Sequence, residues 1–363
     1  VHGPVHAHMP LWSPRIWNSI SSGKHPKKHG ILGFVHDEVL YRSTDRKVHA
    51  LWNITSDAGL SVGVVNWWNS YPPEKINGVM ISDHVIPGVT GERRLAHGAV
   101  EAPEGAPVVY PPDWQDRILA IAEGGPIPTD TPDPFDPGDA LPAWVKTDPL
   151  SRAFRDDGRI VQMALAVDEE LHPDLLMVFL PGIDRVSHWL WGNLEPEDLY
   201  PPRLRPSAEE RRAGVRALYS YYEYTDELIG LLLARFGADD LRIVVSDHGF
   251  EDGVFFKTLT GQHESERAAE GVFFAQGSGI QPGGSARGVD GPLSVDDITP
   301  TVLAWLGLPI GADMDGRPAA GHDFGNIRTV PTHDTTPIER LRANESGAEP
   351  EVLERLRELG YIE

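Results

Sequence analysis

Three separate segments of the sequence carry side chains of the types that bind divalent metal ions. Asp247 and His248 directly follow an apolar, β-branched run. A second segment supplies Asp184 and His188, and a third supplies His263. Because the chain contains no cysteine, metal ligation falls to carboxylate and imidazole groups, and disulfides and cysteine nucleophiles are excluded. The three segments predict one metal site assembled from distant parts of the chain.

Each ligand-bearing segment lies next to an apolar run with the composition of a strand. These runs are 175–180, 243–246 and 271–275. In α/β proteins, ligands bind at the carboxyl ends of the strands. We therefore expect the three segments to meet at one edge of a sheet.

Helical periodicity alternates with these runs along the chain. The clearest helix is predicted over 207–236, where Ser207 and Glu210 have the spacing of a capping box. Further helices are predicted over 45–58, over 294–307 and over 350–360, and a strand over 61–66. The alternation predicts an α/β fold, a mostly parallel central sheet sandwiched by helices.

The segment 102–148 differs from the rest of the chain in composition. It is rich in Pro, Gly and Asp, which favours a loop-rich insertion or cap over a core element. Residues 1–101 and 149–363 are accordingly predicted to form one α/β core.

The charge balance restricts the possible partners. The chain carries 54 acidic and 32 basic residues, a formal net charge of −22, which disfavours a nucleic acid polymer or an anionic membrane surface as partner. An anionic small-molecule substrate would need local positive charge, which bound metal ions can supply. No apolar run approaches the roughly 20 residues of a membrane span. Cytoplasmic and exported locations both stay open, as does the oligomeric state.

Several motifs together resemble one known family. The segments PGIDRVSH, VVSDHGF, GQH with GVFFAQGSGI, SVDDITPTVLAWLGLP and SPRIWNSISSGKHPKKHGI are similar to those of the alkaline phosphatase superfamily. Within it, the chain most resembles the bacterial type I phosphodiesterase/nucleotide pyrophosphatase family, nearly end to end and in the expected order. The resemblance implies an alkaline-phosphatase-like fold and metal-dependent hydrolysis of phosphate esters.

The resemblance also implies roles for the candidate ligands. Asp184, His188 and His263 match the residues that hold one metal ion in that family. Asp247 and His248 match part of a second site. Two divalent ions are expected, with Zn²⁺ the first choice for Asp and His ligands and Mn²⁺ the second.

The same resemblance implies a serine nucleophile. Ser13 lies sixteen residues before His29, the spacing of the family's nucleophile, and would complete the ligands of the second metal. Hydrolysis would then pass through a phospho-serine. Asn18 is a weaker candidate for a contact to a phosphoryl oxygen.

One departure from the family pattern concerns the second metal. The family begins with an apolar strand that ends in a metal-binding Asp, and no such strand precedes Ser13 here. We expect a chain truncated at its amino end, whose second site lacks a ligand. A catalytically impaired binding protein is therefore a second reading of the sequence.

Phosphomonoesterase and sulfatase-like activities also stay open. Sulfatases convert a Cys or Ser to formylglycine within a motif that has Pro two residues later. Here Pro14 follows Ser13 directly and cysteine is absent, which argues against a sulfatase activity.

Tryptophans cluster near the predicted site segments. They could form a wall that stacks on a substrate or could pack in the core, and the sequence favours neither. They are Trp12, Trp17, Trp67, Trp68, Trp189 and Trp191.

Overall fold

The computed structural model describes most of the chain. The described residues are 1–36, 39–86, 107–135, 141, 145, 147–255, 258–280, 283–289, 291–320 and 323–342. The helix predicted over 350–360 lies outside them.

Helices alternate with strands throughout the described residues. The helices are α1 Ser13–Ser22, α2 Pro26–His29, α3 Leu51–Asp57, α4 Gln115–Gly124, α5 Thr147–Leu171, α6 Gly182–Leu190, α7 Ala208–Leu233 and α8 Ile298–Trp305. The strands are β1 His2–His6, β2 Val35–His36, β3 Val39–Leu40, β4 Val62–Trp67, β5 Gly78–Ser82, β6 Val109–Tyr110, β7 Leu175–Val178, β8 Arg242–Val245, β9 Glu251–Phe255, β10 Thr258–Gln262, β11 Glu270–Gln276, β12 Leu293–Ser294, β13 Ile310–Gly311 and β14 Thr329–Val330.

Two four-stranded sheets and the antiparallel pair β9–β10 carry the candidate site residues. The first has the order β6-β5-β4-β7, in which β4 pairs parallel with β5 and with β7, and β6 is antiparallel. The second has the order β12-β1-β11-β8, in which β11 is antiparallel to both β1 and β8. The predicted α/β class is confirmed, although the parallel pairings concentrate in the first sheet.

Side chains on β7 alternate between two apolar layers, as the pleat of a strand requires. Met177 faces the layer that contains α1, α3 and α8, while Leu176 and Val178 face the layer that contains α4 and α5. Helices therefore cover the first sheet on both faces, the arrangement that buries a parallel sheet.

The capping-box prediction for the long helix is confirmed. The Glu210 backbone N–H donates to the Ser207 hydroxyl at 3.2 Å, and the Ser207 N–H donates to the Glu210 carboxylate at 2.8 Å. The helix begins at Ala208 and ends at Leu233.

The helix predicted over 45–58 is shorter than expected at its start. Ser43–Asp45 form a 3₁₀ turn, closed by the Arg42 N–H donating to the Asp45 carboxylate at 2.7 Å. The helix begins only at Leu51, where the Ala50 N–H donates to the Asn53 side chain at 2.8 Å. Local capping hydrogen bonds decide where this helix begins. The apolar periodicity alone did not indicate that position.

The separate insertion over 102–148 stays a prediction. Within its described part, β6 extends the first sheet, and α4 buries Ile118 and Ala122 in the core layer beside α5.

Among the described helices, none combines the length and apolarity needed to cross a membrane.

Candidate metal centre

Asp184 and His188 are presented together by α6, which begins directly after β7. They are four residues apart, so they lie on one face of the helix, with Asp184 Oδ1 and His188 Nε2 3.6 Å apart. Asp184 is in the first turn, where the helix dipole favours a carboxylate. The short helix thus aims both side chains at one point.

The second four-stranded sheet and the separate β9–β10 pair supply the other candidate ligands. Asp247 and His248 follow the end of β8 and are buried, and His263 follows β10 and is also buried. The side chains of His248 and His263 stack with ring centroids 3.8 Å apart. The two four-stranded sheets and the β9–β10 pair therefore bring the three ligand-bearing segments together, as the sequence predicts.

Backbone carbonyls fix the protonation of two imidazoles. His188 Nδ1 lies 3.1 Å from the Gly261 carbonyl oxygen, and His248 Nδ1 lies 3.0 Å from the Gly249 carbonyl oxygen. Because a carbonyl only accepts, both Nδ1 atoms carry the proton when the rings are neutral. Each Nε2 then offers a lone pair to the site, a typical arrangement of metal-binding histidines.

The Asp184 carboxylate lies at the centre of the group. Its Oδ1 is 3.6 Å from His188 Nε2, 3.8 Å from His263 Nε2 and 3.9 Å from His248 Nε2. The Nε2 atoms of His188 and His263 are 3.3 Å apart. Tetrahedral zinc with Zn–N distances of about 2.0–2.1 Å separates its ligand atoms by about 3.3–3.4 Å.

Several ligand atoms are buried without a hydrogen-bond partner. These are Asp184 Oδ1, Asp247 Oδ2 and His248 Nε2. Unpaired buried polar atoms are costly unless something else binds them. The cluster Asp184, His188 and His263 therefore fits a divalent cation in both donor chemistry and spacing.

Burial shifts the pKa of two candidate ligands. It raises the pKa of Asp247, an effect that the neighbouring His248 and the Ser13 hydroxyl oppose. Burial, reinforced by His248 and His188, lowers the pKa of His263 well below its ordinary value. A low histidine pKa favours the neutral, ligand-competent imidazole.

Ser13 reaches the same cleft from a third direction. It is the first residue of α1, and its hydroxyl acts to lower the pKa of the neighbouring Asp247. Ser13 also lines the cavity that contains Asp184, His188 and His263. A helix amino terminus favours negative charge, whether on a serine oxygen or on a phosphoryl group.

Asn18 is not brought into this group. Its amide Nδ2 donates to the Pro14 carbonyl at 2.7 Å and to Asn69 Oδ1 at 2.8 Å. Its own Oδ1 accepts from Arg46 at 3.4 Å, and the residue is fully buried. Both ends of the amide are thus engaged in holding α1, and the phosphoryl contact of Asn18 stays a prediction.

Comparison with known proteins decides the family. The model of the type I phosphodiesterase/nucleotide pyrophosphatase family matches residues 1–289. The chain belongs to this family.

Solved structures similar to this phosphodiesterase-family chain share its fold. A variant of the alkaline phosphatase PafA aligns with a TM-score of 0.50 and 12% identity, covering 87% of this chain and 90% of the other. A 2-O GAG sulfatase aligns with a TM-score of 0.50 and 14% identity, covering 87% of this chain. The chain spans 64% of that sulfatase's length. No curated protein sequence matches the chain significantly.

Two residues that support the candidate ligands of this phosphodiesterase-family chain were not predicted from the sequence. Phe250 lies edge-on to three histidines, with ring centroids 5.2 Å from His188, 5.7 Å from His248 and 5.5 Å from His263. The buried Glu251 carboxylate accepts from the N–H groups of 264 and 265 at 3.2 and 2.9 Å, which fixes the loop after His263. Both directly follow the SDHG motif, and this proximity was the available signal.

A buried carboxylate also holds the start of α6. Both oxygens of Asp157 lie 3.2 Å from the Gly182 backbone nitrogen, and Asp157 Oδ2 accepts from the Tyr221 hydroxyl at 2.9 Å. Burial raises the pKa of Asp157 to about 7. Asp157 therefore fixes the helix end two residues before Asp184.

Some of the tryptophans pack in the core, and others line the cavity. Trp17 and Trp67 are buried and meet edge to face with centroids 5.1 Å apart. Trp68 is half-buried and lies edge-on to Phe34, 5.9 Å away, where both line the cavity.

Proposed function

We propose that the protein is a metal-dependent hydrolase of small-molecule phosphate esters, of the phosphodiesterase/nucleotide pyrophosphatase type. The proposal rests on one observation above others: Asp184 Oδ1 faces three imidazole Nε2 atoms within 3.9 Å. The Ser13 hydroxyl, a candidate nucleophile, lines the same cavity as Asp184, His188 and Asp247.

The ligands divide into two proposed sites. Asp184, His188 and His263 would hold one divalent ion, and Asp247 with His248 and Ser13 would contribute to a second. Zinc suits both donor sets, with manganese as the second choice. Bound metal ions lower the pKa of a coordinated hydroxyl and neutralise charge on the phosphoryl oxygens.

Ser13 is proposed to carry the covalent step. Its Oγ forms a bond to phosphorus while the bond from phosphorus to the leaving oxygen breaks, and the leaving oxygen takes up a proton. Water then attacks the phospho-serine and restores the hydroxyl. The amino end of α1 favours the negative charge that develops beside Ser13.

Because the protein has a large net negative charge, it needs local positive charge at the site to bind an anionic substrate. With 54 acidic and 32 basic residues, the surface repels anions in general. A phosphate ester is therefore bound where metal ions concentrate positive charge, at the common edge of the two sheets.

A substrate panel tests the proposal. Bis(p-nitrophenyl) phosphate, p-nitrophenyl phosphate and p-nitrophenyl sulfate are each incubated with metal-free protein, with added Zn²⁺ and with added Mn²⁺. We expect the diester to be hydrolysed fastest and only with metal. Faster hydrolysis of the sulfate would favour a sulfatase, and faster hydrolysis of the monoester a phosphomonoesterase. Stoichiometric metal binding without turnover of any ester would identify a binding protein.

A further inference from the structure

Two buried asparagines at the carboxyl end of β4 adopt the left-handed backbone conformation. Asn66 has a φ of 59° and Asn69 a φ of 56°. Asparagine enters this region more readily than most residues, but the conformation still costs free energy and persists only where the surrounding structure holds it. Because such residues collect at functional sites, the contacts of these two side chains bear on function.

The side chain and the backbone of Asn69 are both held by hydrogen bonds. Its Oδ1 accepts from Asn18 Nδ2 at 2.8 Å, and its own Nδ2 donates to the Tyr41 carbonyl at 2.8 Å. The Asn69 N–H donates to the Asp83 carboxylate at 2.8 Å, and Arg46 donates to the Asn69 carbonyl at 3.4 Å. The orientation of the amide is therefore fixed, with its oxygen directed at α1.

This contact matters to α1 because the amino end of the helix has little other support. Trp12, the residue before the helix, makes no side-chain capping hydrogen bond to the described residues. Asn18 Nδ2 donates to the Pro14 carbonyl at 2.7 Å as well as to Asn69. One amide therefore joins the end of β4 to the helical turn that begins with Ser13.

Asn66 connects the same end of β4 to the segment that leads into α6. Its Nδ2 donates to the Phe179 carbonyl at 3.1 Å, and the Phe179 N–H donates to the Val65 carbonyl at 3.1 Å. Phe179 directly follows β7 and precedes α6, the helix that carries Asp184 and His188. The contact of Asn66 is therefore on the side of the candidate metal ligands.

We infer that Asn66 and Asn69 are positioning residues that set the distance between Ser13 and the metal ligands of α6. Residues 66–69 act as a spacer, bonded to α1 through Asn69 and Trp67 and to the segment after β7 through Asn66. This inference rests on the proposed function, in which the Ser13 hydroxyl attacks a phosphate ester beside metal ions. Attack requires reacting atoms about 3–3.5 Å apart, and a misplacement of about 1 Å can slow it on the order of 100-fold.

Removal of the Asn69 side chain tests the inference. Glycine adopts a positive φ without a steric penalty, so Asn69→Gly removes the bonds to Asn18 and Tyr41 while the turn can still form. With a ³²P-labelled diester, we expect the single-turnover rate of phospho-serine formation to fall at least ~tenfold. The KM should change less than about threefold, because the lost contact serves the chemical step. Phosphorylation at the wild-type rate would overturn the inference.

Asn77→Gly is the matched control. Asn77 is exposed, and its side chain also donates to two backbone carbonyls, those of Gly59 and Leu60, at the opposite end of β4. This variant should lose stability in urea without a change in the phosphorylation rate. If the rate instead follows stability in both glycine variants, the role of Asn69 is structural only and the inference fails.

A double variant tests whether Asn69 acts through α1. Asn18→Ala and Asn69→Gly remove the two ends of one hydrogen bond, so their effects on the phosphorylation rate should not add. We expect the double variant to be no slower than the slower single variant. Additive losses would show that Asn69 acts elsewhere and would overturn the inference.

Hydrogen exchange separates this inference from the proposed function, because it needs no turnover. Asn69→Gly should speed exchange at least ~threefold in a fragment covering α1, and Asn66→Gly in a fragment covering 179–190. Asn77→Gly should change neither fragment. Unchanged exchange in the first two variants would refute the positioning role, whereas absence of phospho-serine in the wild-type protein would refute the proposed function.

Discussion

The Nε2 atoms of His188 and His263 face each other at 3.3 Å, although the residues come from different parts of the chain. Two imidazole lone pairs this close repel unless a proton or a cation lies between them. Together with Asp184 they form the candidate ligand set whose ligand atoms all lie within 4.8 Å of one another.

Replacing His263 should remove a metal ligand. We expect His263→Ala to lose one equivalent of tightly bound zinc and at least about 100-fold in kcat/KM for bis(p-nitrophenyl) phosphate. Metal content by mass spectrometry and steady-state kinetics measure the two effects. His2→Ala, an exposed histidine, serves as the control and should retain both. Full activity in His263→Ala would refute the metal assignment.

Replacing Ser13 should lower the rate of hydrolysis without removing the metal ion bound by Asp184, His188 and His263. Ser13→Ala leaves Asp184, His188 and His263 in place, so zinc at that site should persist while turnover falls at least about 100-fold. Acid quenching with a ³²P-labelled diester should trap label on the wild-type protein and none on the variant. Labelling of Ser13→Ala equal to wild type would assign the nucleophile elsewhere.

The start of α6 should tolerate no side chain beyond glycine. A Cβ on Gly182 would lie 1.8 Å from the Tyr221 hydroxyl and 2.2 Å from Asp157 Oδ2, so Gly182→Ala must displace the helix that carries Asp184. We expect weaker zinc binding by about 10–100-fold, the usual effect of disturbing a ligand's support. Gly230→Ala, with open space around its Cβ, should instead add about 0.5–1 kcal/mol to the free energy of unfolding. Competition with a chromophoric chelator and urea denaturation measure these outcomes.

Asp157 should make stability fall as the pH rises. Its pKa is raised by burial from 3.8 to about 7, so the folded state binds more protons than the unfolded state between these values. The favourable contribution of the neutral carboxyl is complete below about pH 4 and is lost as the pH rises through about 7. In Asp157→Asn this loss is absent, so the variant should gain stability relative to wild type across that range. Urea denaturation from pH 4 to 8 checks the trend, and parallel curves for the two proteins would contradict it.

The clustering of the candidate metal ligands was predictable because each is marked by a local pattern. Asp247 and His248 follow an apolar strand, and the spacing of Asp184 and His188 places both on one helix face. Parallel strands such as β4 and β7 bring their carboxyl ends to one edge of the sheet. Side chains that follow strands in the sequence are therefore expected to lie close together in the fold.

The remaining features depend on contacts between distant segments. The interaction of Asn18 with Asn69 joins residues 51 positions apart, and nothing around Asn18 indicates it. Asp157 lies within α5, where a carboxylate normally faces solvent, and only the packing of α6 and Tyr221 buries it. The apolar run of β11 likewise carried no information about its antiparallel direction.

The site lies across the boundary between the two sheets, with Asp184 and His188 on the side of β7 and Asp247 and His248 on the side of β8. Any change in the distance between the sheets alters the ligand geometry on both sides at once. Metal binding and the native arrangement of the two sheets are therefore thermodynamically coupled, so a bound ion stabilises that arrangement. The affinity for a metal ion thus reports how well the two sheets are aligned.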